Sequence, residues 1–336
     1  MPNNVNTTAT ISPALSSQYD RNLLERTVPD LIHDLFAERR PIKQMNSKTI
    51  SIRKYLSREP AMVPLSEAVT PEGGTIDYDD VSFSLTQYGD FVYVSDQLEL
   101  TNLDPTLVEF GQILSESASI TIDQVRRDSF NAGTYVRRAG GVAARASIVT
   151  TISNNDLSVV KRALQSGYNK FYTKSVDAQN KYATSPTKPA WFVITHTDCT
   201  QDWEALDGWT PVEKYMGATS TYPTEIGQVS NFRVLVSPIA KLWADAGGTA
   251  VTNSLKYTTA NTACDVYSSL VVTPKALCVS DLEGYGLKNI IHPRGSGGAA
   301  IPLNQYGTTG WIAFLAQGIL DQTRLYRIEH GVSALS

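Results

Sequence analysis

Charge is scarce in this chain. Of 336 residues only 18% are Asp, Glu, Lys or Arg, against about 25% in ordinary globular proteins, which suggests much surface that does not face bulk water, as in tightly assembled proteins and some large enzymes. Positive charge is not in excess either. There are 29 Lys and Arg against 33 Asp and Glu, a formal net charge of −4, whereas a dedicated nucleic-acid binder is basic. The three cysteines, Cys199, Cys264 and Cys278, are odd in number and widely spaced. That excludes a disulfide scaffold and predicts three small buried side chains in a reducing compartment. The longest apolar run, WIAFLA at 311–316, has six residues. A membrane span needs about 20, so no membrane partner is expected. No Lys or Arg precedes Arg21 and no apolar stretch lies near the start, so neither a signal nor a transit peptide is expected.

Signatures of catalysis are missing too. The sequence holds no Gly-x-x-x-x-Gly-Lys-Ser/Thr, no Gly-x-Ser-x-Gly and no His-Glu-x-x-His, the patterns that build a phosphate cradle, a serine nucleophile or a zinc site. Arg294-Gly-Ser-Gly-Gly298 matches a phosphate loop in composition only and reads as a flexible connection. His196-Thr-Asp-Cys199 follows an apolar strand pattern, but zinc needs two more ligands, and Asp198 or Thr200 capping the next helix explains the polarity as well. Asp77-Tyr-Asp79-Asp80 lacks the Gly and the distal Glu of a calcium loop and reads as a solvated turn or an intersubunit salt bridge. No catalytic residue, metal or cofactor is expected.

What is present is a sequence of changing periods. Residues 1–18 are Asn, Thr, Ser and Ala without core-forming side chains, an arm that needs a partner surface for order. Leu23, Leu24, Val28, Leu31, Ile32, Leu35 and Phe36 recur at helical spacing across 19–45, with Pro29 interrupting. KTISIRKY then alternates as a strand does, and after a Pro-rich stretch with a Gly-Gly tip the alternation resumes in DYDDVSFSLTQYGDFVYVSD. This predicts a long β-hairpin over about 46–96. Its apolar tip residues Met62, Val63, Leu65 and Val69 have no core of their own to join. An isolated two-stranded hairpin is marginal in water, so a second surface is implied.

The clearest helix is predicted over 105–131, with Asp104 as N-cap, Pro105 at its first position, an apolar stripe of Leu107, Phe110, Leu114, Ala118, Ile122 and Val125, and Gly133 past its end. Beyond it helix and strand patterns alternate: a helix over 157–171, strands at PAWFVITH, FRVLVSPIA and DVYSSLVVTPKALCVSD, a helix opening at DWEALDGW, a Gly/Pro-rich connection through 284–310 and a β-rich C-terminus. The fold class is α+β. One local charge excess stands out: Arg126, Arg127, Arg137, Arg138 and Arg145 face only Asp128 between residues 124 and 150. Exposed or salt-bridged arginines are the plain reading, and a phosphate-facing patch for DNA is the functional one.

The stretches KTISIRKY (48–55), PLSEAVTPEGG (64–74), QYGDFVYVSDQLELTNLDP (87–105), EIGQVSNFRVLVSP (225–238), RGSGGAAIPLNQYGTTGW (294–311) and RIEH (327–330), in that order, resemble the N4-type family of tailed-phage major capsid proteins. The chain departs from that family in the N-terminal arm and in the loop over 241–263. The resemblance implies the HK97-like fold, with an N-terminal arm (1–18), a helical segment (19–45), an E-loop hairpin over the adjacent subunit (46–96), a peripheral domain with a spine helix (97–153), an axial domain (154–290) and a return to the peripheral domain (291–336). It implies a non-catalytic shell protein of the virion, assembled in the host cytoplasm as hexamers and pentamers of itself. The implied partners are packaged double-stranded DNA held without sequence specificity, and portal, scaffolding or decoration proteins. An encapsulin-like compartment and a cytoplasmic enzyme with a site near His196 are the alternatives. No crosslinking Lys/Asn/Glu site is identified.

Overall fold

The computed structural model describes residues 31–43, 47–62, 64–65, 67, 70, 73–101, 106–172, 189–215, 220, 222–249, 255–259, 263–284, 286–293, 303 and 305–334. The expected arm over 1–18, the helical pattern before residue 31, the Asp104 cap and the 294–298 loop lie outside them.

The chain opens with β1 (Ala37–Arg39), β2 (Thr49–Tyr55), β3 (Tyr78–Ser84), β4 (Thr86–Ser95), α1 (Asp96–Thr101), the long α2 (Thr106–Phe130) and β5 (Val136–Arg138). It continues through α3 (Asn154–Ser166), β6 (Trp191–His196), α4 (Thr200–Glu204), β7 (Thr210–Pro211), β8 (Glu225–Val229), β9 (Phe232–Ser237) and β10 (Leu242–Trp243). The last strands are β11 (Val266–Val272), β12 (Leu277–Asp281), β13 (Leu287–His292), β14 (Tyr306–Ile319) and β15 (Leu325–His330).

Two sheets organise these elements. In the first, β14 is the axis. It pairs β12 and β13 along one edge and β4, antiparallel from Ser95↔Tyr306 to Thr86↔Leu315, along the other, while β1 adds parallel to β12. α2 covers this sheet by packing Leu114, Ala118 and Ile122 on Trp311, Ala313, Leu315 and Tyr88. The second sheet runs β5-β15-β11-β6-β9-β8-β7, with β10 beside β11. Its central strand, VYSSLVV, is buried along its whole length, as a strand covered on both faces must be. Alternation divides its partner β6. Trp191 and Val193 face a core with Leu157, Val160 and Leu164 of α3, whereas Phe192 and Ile194 face a core with Ile32, Phe36, Phe130 and Leu277. That second core joins the two sheets. Ser153 caps α3 by accepting from the Asp156 backbone N–H, as expected of an N-cap serine. The three cysteines are buried and unpaired.

Three expectations change. Residues 31–36 are not helical. The i, i+4 pair Ile32 and Phe36 is placed by turns with i−3 bonds, Leu35 N–H to Ile32 O and Ala37 N–H to Asp34 O, and the free edge of β12 then captures 37–39 as a strand. So short a stretch carries a helix nucleation cost that it does not recover. The hairpin ladder is shorter than 46–96. β2 and β3 pair from Thr49↔Ser84 to Tyr55↔Tyr78, and TQYGDFVYVS leaves for the first sheet because β14 offers it ten partners. The connection over 284–310 contains a strand, β13. β12 and β13 pair with the helix-covered sheet, while β5 and β15 pair in the second sheet.

Candidate assembly surfaces

The hairpin is anchored at its root. Lys54 Nζ donates to Asp321 Oδ2 at 2.6 Å, and Asp321 also accepts from the Thr323 backbone and hydroxyl. Burial works against the Asp321 carboxylate, yet these bonds and the Lys54 charge hold its pKa below the usual range. On the opposite arm the Phe83 ring lies against Gly318 of β14, where a Cβ would overlap the ring. The glycine is what lets β3 approach so closely. Along the ladder Arg53 forks onto Asp80 at 2.9 and 3.1 Å and sits 4.2 Å over the Tyr78 ring. Asp80 is thus a cross-strand partner within this chain, which corrects the turn or intersubunit bridge expected for Asp77–Asp80. The hydrogen bond from Arg53 lowers its pKa.

Past Leu56, whose N–H donates to Asp77 O, the described residues of the tip touch little. Met62 is 85% exposed and Leu65 76%. Val63 and Val69 lie outside the described residues. Sequence reasoning passed over Tyr55, Leu56, Ile76 and Tyr78, all exposed as well; Ile76 and Tyr78 stand two apart on one arm, which was the available signal, whereas Tyr55 and Leu56 are consecutive on the other. A second exposed apolar set crosses the uncovered face of the first sheet, where Phe91, Tyr93 and Tyr306 stack edge to face at 5.1 Å.

The five arginines do not form one patch. Arg126 bridges Asp34 (3.1 Å) and Asp281 (3.4 Å) beneath the 31–42 segment, which His33 also ties to α2 through Asp123 at 2.6 Å. Arg127 pairs with Asp128 and donates to Ile239 O. Arg137 pairs with buried Asp156 at 2.8 Å. Arg138 (3.2 Å) and Arg145 (2.5 Å) converge with Arg327 (2.9 Å) on Glu329, which is fully buried. No side chain of the five is more than 30% exposed. The salt-bridged reading therefore describes them within the chain. Among the described residues two clusters around these arginines carry surplus positive charge: three guanidiniums meet Glu329, with Trp243 3.8 Å beneath Arg145, and Arg127 and Lys241 share Asp128. Arg327, Glu329 and Trp243 had no sequence signal that joined them.

No protein-family model and no curated protein matches the chain. Solved structures do match, over nearly the full length of both partners. The capsid of cyanophage P-SCSP1u aligns at TM-score 0.63 with 14% identity, covering 100% of this chain and 97% of its own. The capsid of cyanophage Pam1 aligns at 0.63 with 11% identity, covering 99% and 100%. The head of Helicobacter pylori bacteriophage KHP40 aligns at 0.59 with 11% identity, covering 98% and 99%. The chain has the HK97-like capsid fold.

Within this capsid fold the remaining chemical candidates take structural roles. His196 Nδ1 accepts the Asp198 N–H at 3.1 Å and the ring also bonds the Pro238 backbone, while burial lowers its pKa. Asp198 caps no helix. It takes Lys256 and the Tyr267 hydroxyl, the latter at 2.7 Å. Burial pushes the Cys199 thiol up to about 12, so little thiolate is present at neutral pH.

Proposed function

We propose that the chain is the major capsid protein of a tailed double-stranded DNA phage, of the N4-type group, and that its hairpin is an E-loop lying on the adjacent subunit of the shell. The hairpin carries the reading. It is fixed at its root by Lys54–Asp321 and Phe83–Gly318, yet it presents Met62 and Leu65 to solvent. A rigidly aimed arm with an unsatisfied apolar tip needs a receiver, and a second copy supplies one at every position of a closed shell. Self-assembly into capsomers of six and five follows from the fold likeness, and portal, scaffolding and decoration proteins are the expected accessory partners. Packaged DNA would meet the chain through non-specific phosphate contacts, for which the surplus charge at Arg138 and Arg145 is the best-suited part of the 124–150 segment. The arms of the N-terminal and axial regions take their roles from the same reading, as does assembly in the host cytoplasm.

The test is assembly of the purified full chain. Closed particles in negative stain support the shell reading, and a subunit that stays monomeric or dimeric under all assembly conditions, including with its scaffolding protein, overturns it.

A further inference from the structure

The C-terminus of α3 breaks a pattern. Tyr168 N–H donates to Gln165 O and Asn169 N–H to Leu164 O, at 3.0 and 3.1 Å, which is the paired closure of a Schellman motif. The residue between helix and closure must then take the left-handed conformation, and Tyr168 does so at φ 54°. Glycine is the unstrained choice there. The chain has one, Gly167, but uses it one position early at φ −80°. The strained position instead holds a tyrosine that is 93% exposed. Neither the core nor the cap gains from that side chain. Exposed Arg162 and Lys170 stand near it in the chain.

At the other end of α3 lies a cleft of about 790 Å³. Trp209, whose indole lies over Gly227 where a Cβ would collide with it, forms the floor with Leu206, Pro211 and Ile226. Glu204, Asp207 and Glu213 line it against one cation, Lys214. Asn154, the first residue of α3, donates to Asp207 O at 3.2 Å, so cleft and tyrosine are separated by the length of the helix, about 20 Å at 1.5 Å per residue. One copy cannot fill its own cleft.

We infer that Tyr168 of one copy seats in the Trp209 cleft of the next, making a head-to-tail contact that closes a ring of subunits. An aromatic knob meets an aromatic floor, and a basic end meets an acidic rim. The two patches differ and sit on opposite ends of one helix, so the contact is heterologous and propagates around an axis instead of closing as a dimer. An exposed tyrosine kept at the expense of backbone strain fits an interface anchor. The inference rests on the shell reading above and specifies one contact within it.

Two variants test it. Tyr168→Gly relieves the strain, so the isolated subunit should melt about 2–4 °C higher while particle yield falls at least tenfold. A variant that gains stability and still assembles at wild-type yield overturns the contact. In particles of the double variant Gln165→Cys/Glu213→Cys, which keeps Tyr168 in place, oxidation should give a ladder of disulfide-linked oligomers on a non-reducing gel, ending at the number of chains in the ring and absent from either single variant. The natural cysteines are buried and do not enter. Intact particles whose double variant runs as monomer overturn the contact and leave the shell reading standing. A wild-type chain that forms no particles overturns both.

Discussion

Glu329 balances three guanidiniums with one carboxylate in the interior. Burial raises its pKa, but the hydrogen bond from Arg145 and the charges of Arg327, Arg145 and Arg138 outweigh burial and leave it lowered. Glu329→Gln removes the negative charge and leaves the cations facing one another. It should cost about 3–5 kcal/mol, the usual penalty for breaking a buried pair, visible as a drop in the urea midpoint. A loss under 1 kcal/mol would mean that solvent already screens the cluster. Its neighbour His330 is fully buried. Nδ1–H donates to Gly331 O, so Nε2 accepts from the Ser269 hydroxyl at 2.8 Å, and Thr195 in turn donates to Ser269. That arrangement requires a neutral ring, and burial lowers the His330 pKa. The sign follows by linkage. The unfolded chain binds the proton more readily, so stability is full above about pH 6.5, the free-imidazole value, and declines as pH falls below it. His196 is shifted the same way, and Glu329 adds its own loss below about pH 4.3. Melting temperatures of His330→Gln should therefore show a shallower decline between pH 6.5 and 5 than the natural chain; an unchanged slope would remove His330 from the acid response.

At the scale of elements, the hairpin and α2 divide the work. Replacing residues 58–75 with a short turn removes the exposed Met62 and Leu65 and keeps the root clamp. The subunit should keep its circular dichroism and melting temperature but lose assembly, since each side chain is worth about 1.5–3 kcal/mol only once a neighbour buries it. Unfolding of this variant would show instead that the tip supports its own core. Ala118 of α2 is fully buried in the cluster with Trp311, so Ala118→Leu should overpack that seam and cost about 1–3 kcal/mol in a urea titration; a neutral result would mean that helix and sheet are loosely apposed. α2 was legible because 25 residues of one period outweigh local noise. The hairpin was legible in kind but not in length, since alternation alone cannot say which partner a strand takes, and β14 won residues 86–95. β13 hid among glycines and prolines, and the 31–36 turns imitated a helix with the i, i+4 pairs Leu31/Leu35 and Ile32/Phe36. Of the assembly surface, the apolar tip was readable. The root clamp was not, because Lys54 and Asp321 stand 267 residues apart and only the fold brings them together.

At the scale of the molecule, the low charge fraction, the two joined sheets and the projecting arm make one account. The cores fix the root of the hairpin, and in the proposed reading the apolar tip is left for another copy. That account is tested most directly by an electron cryomicroscopy reconstruction of assembled particles. It predicts hairpin density running from each subunit across its neighbour, with Met62 and Leu65 buried between the two chains and Lys54 still on Asp321 of its own chain. A reconstruction in which the hairpin folds back over its own subunit, or in which both tip side chains remain in solvent, would contradict it.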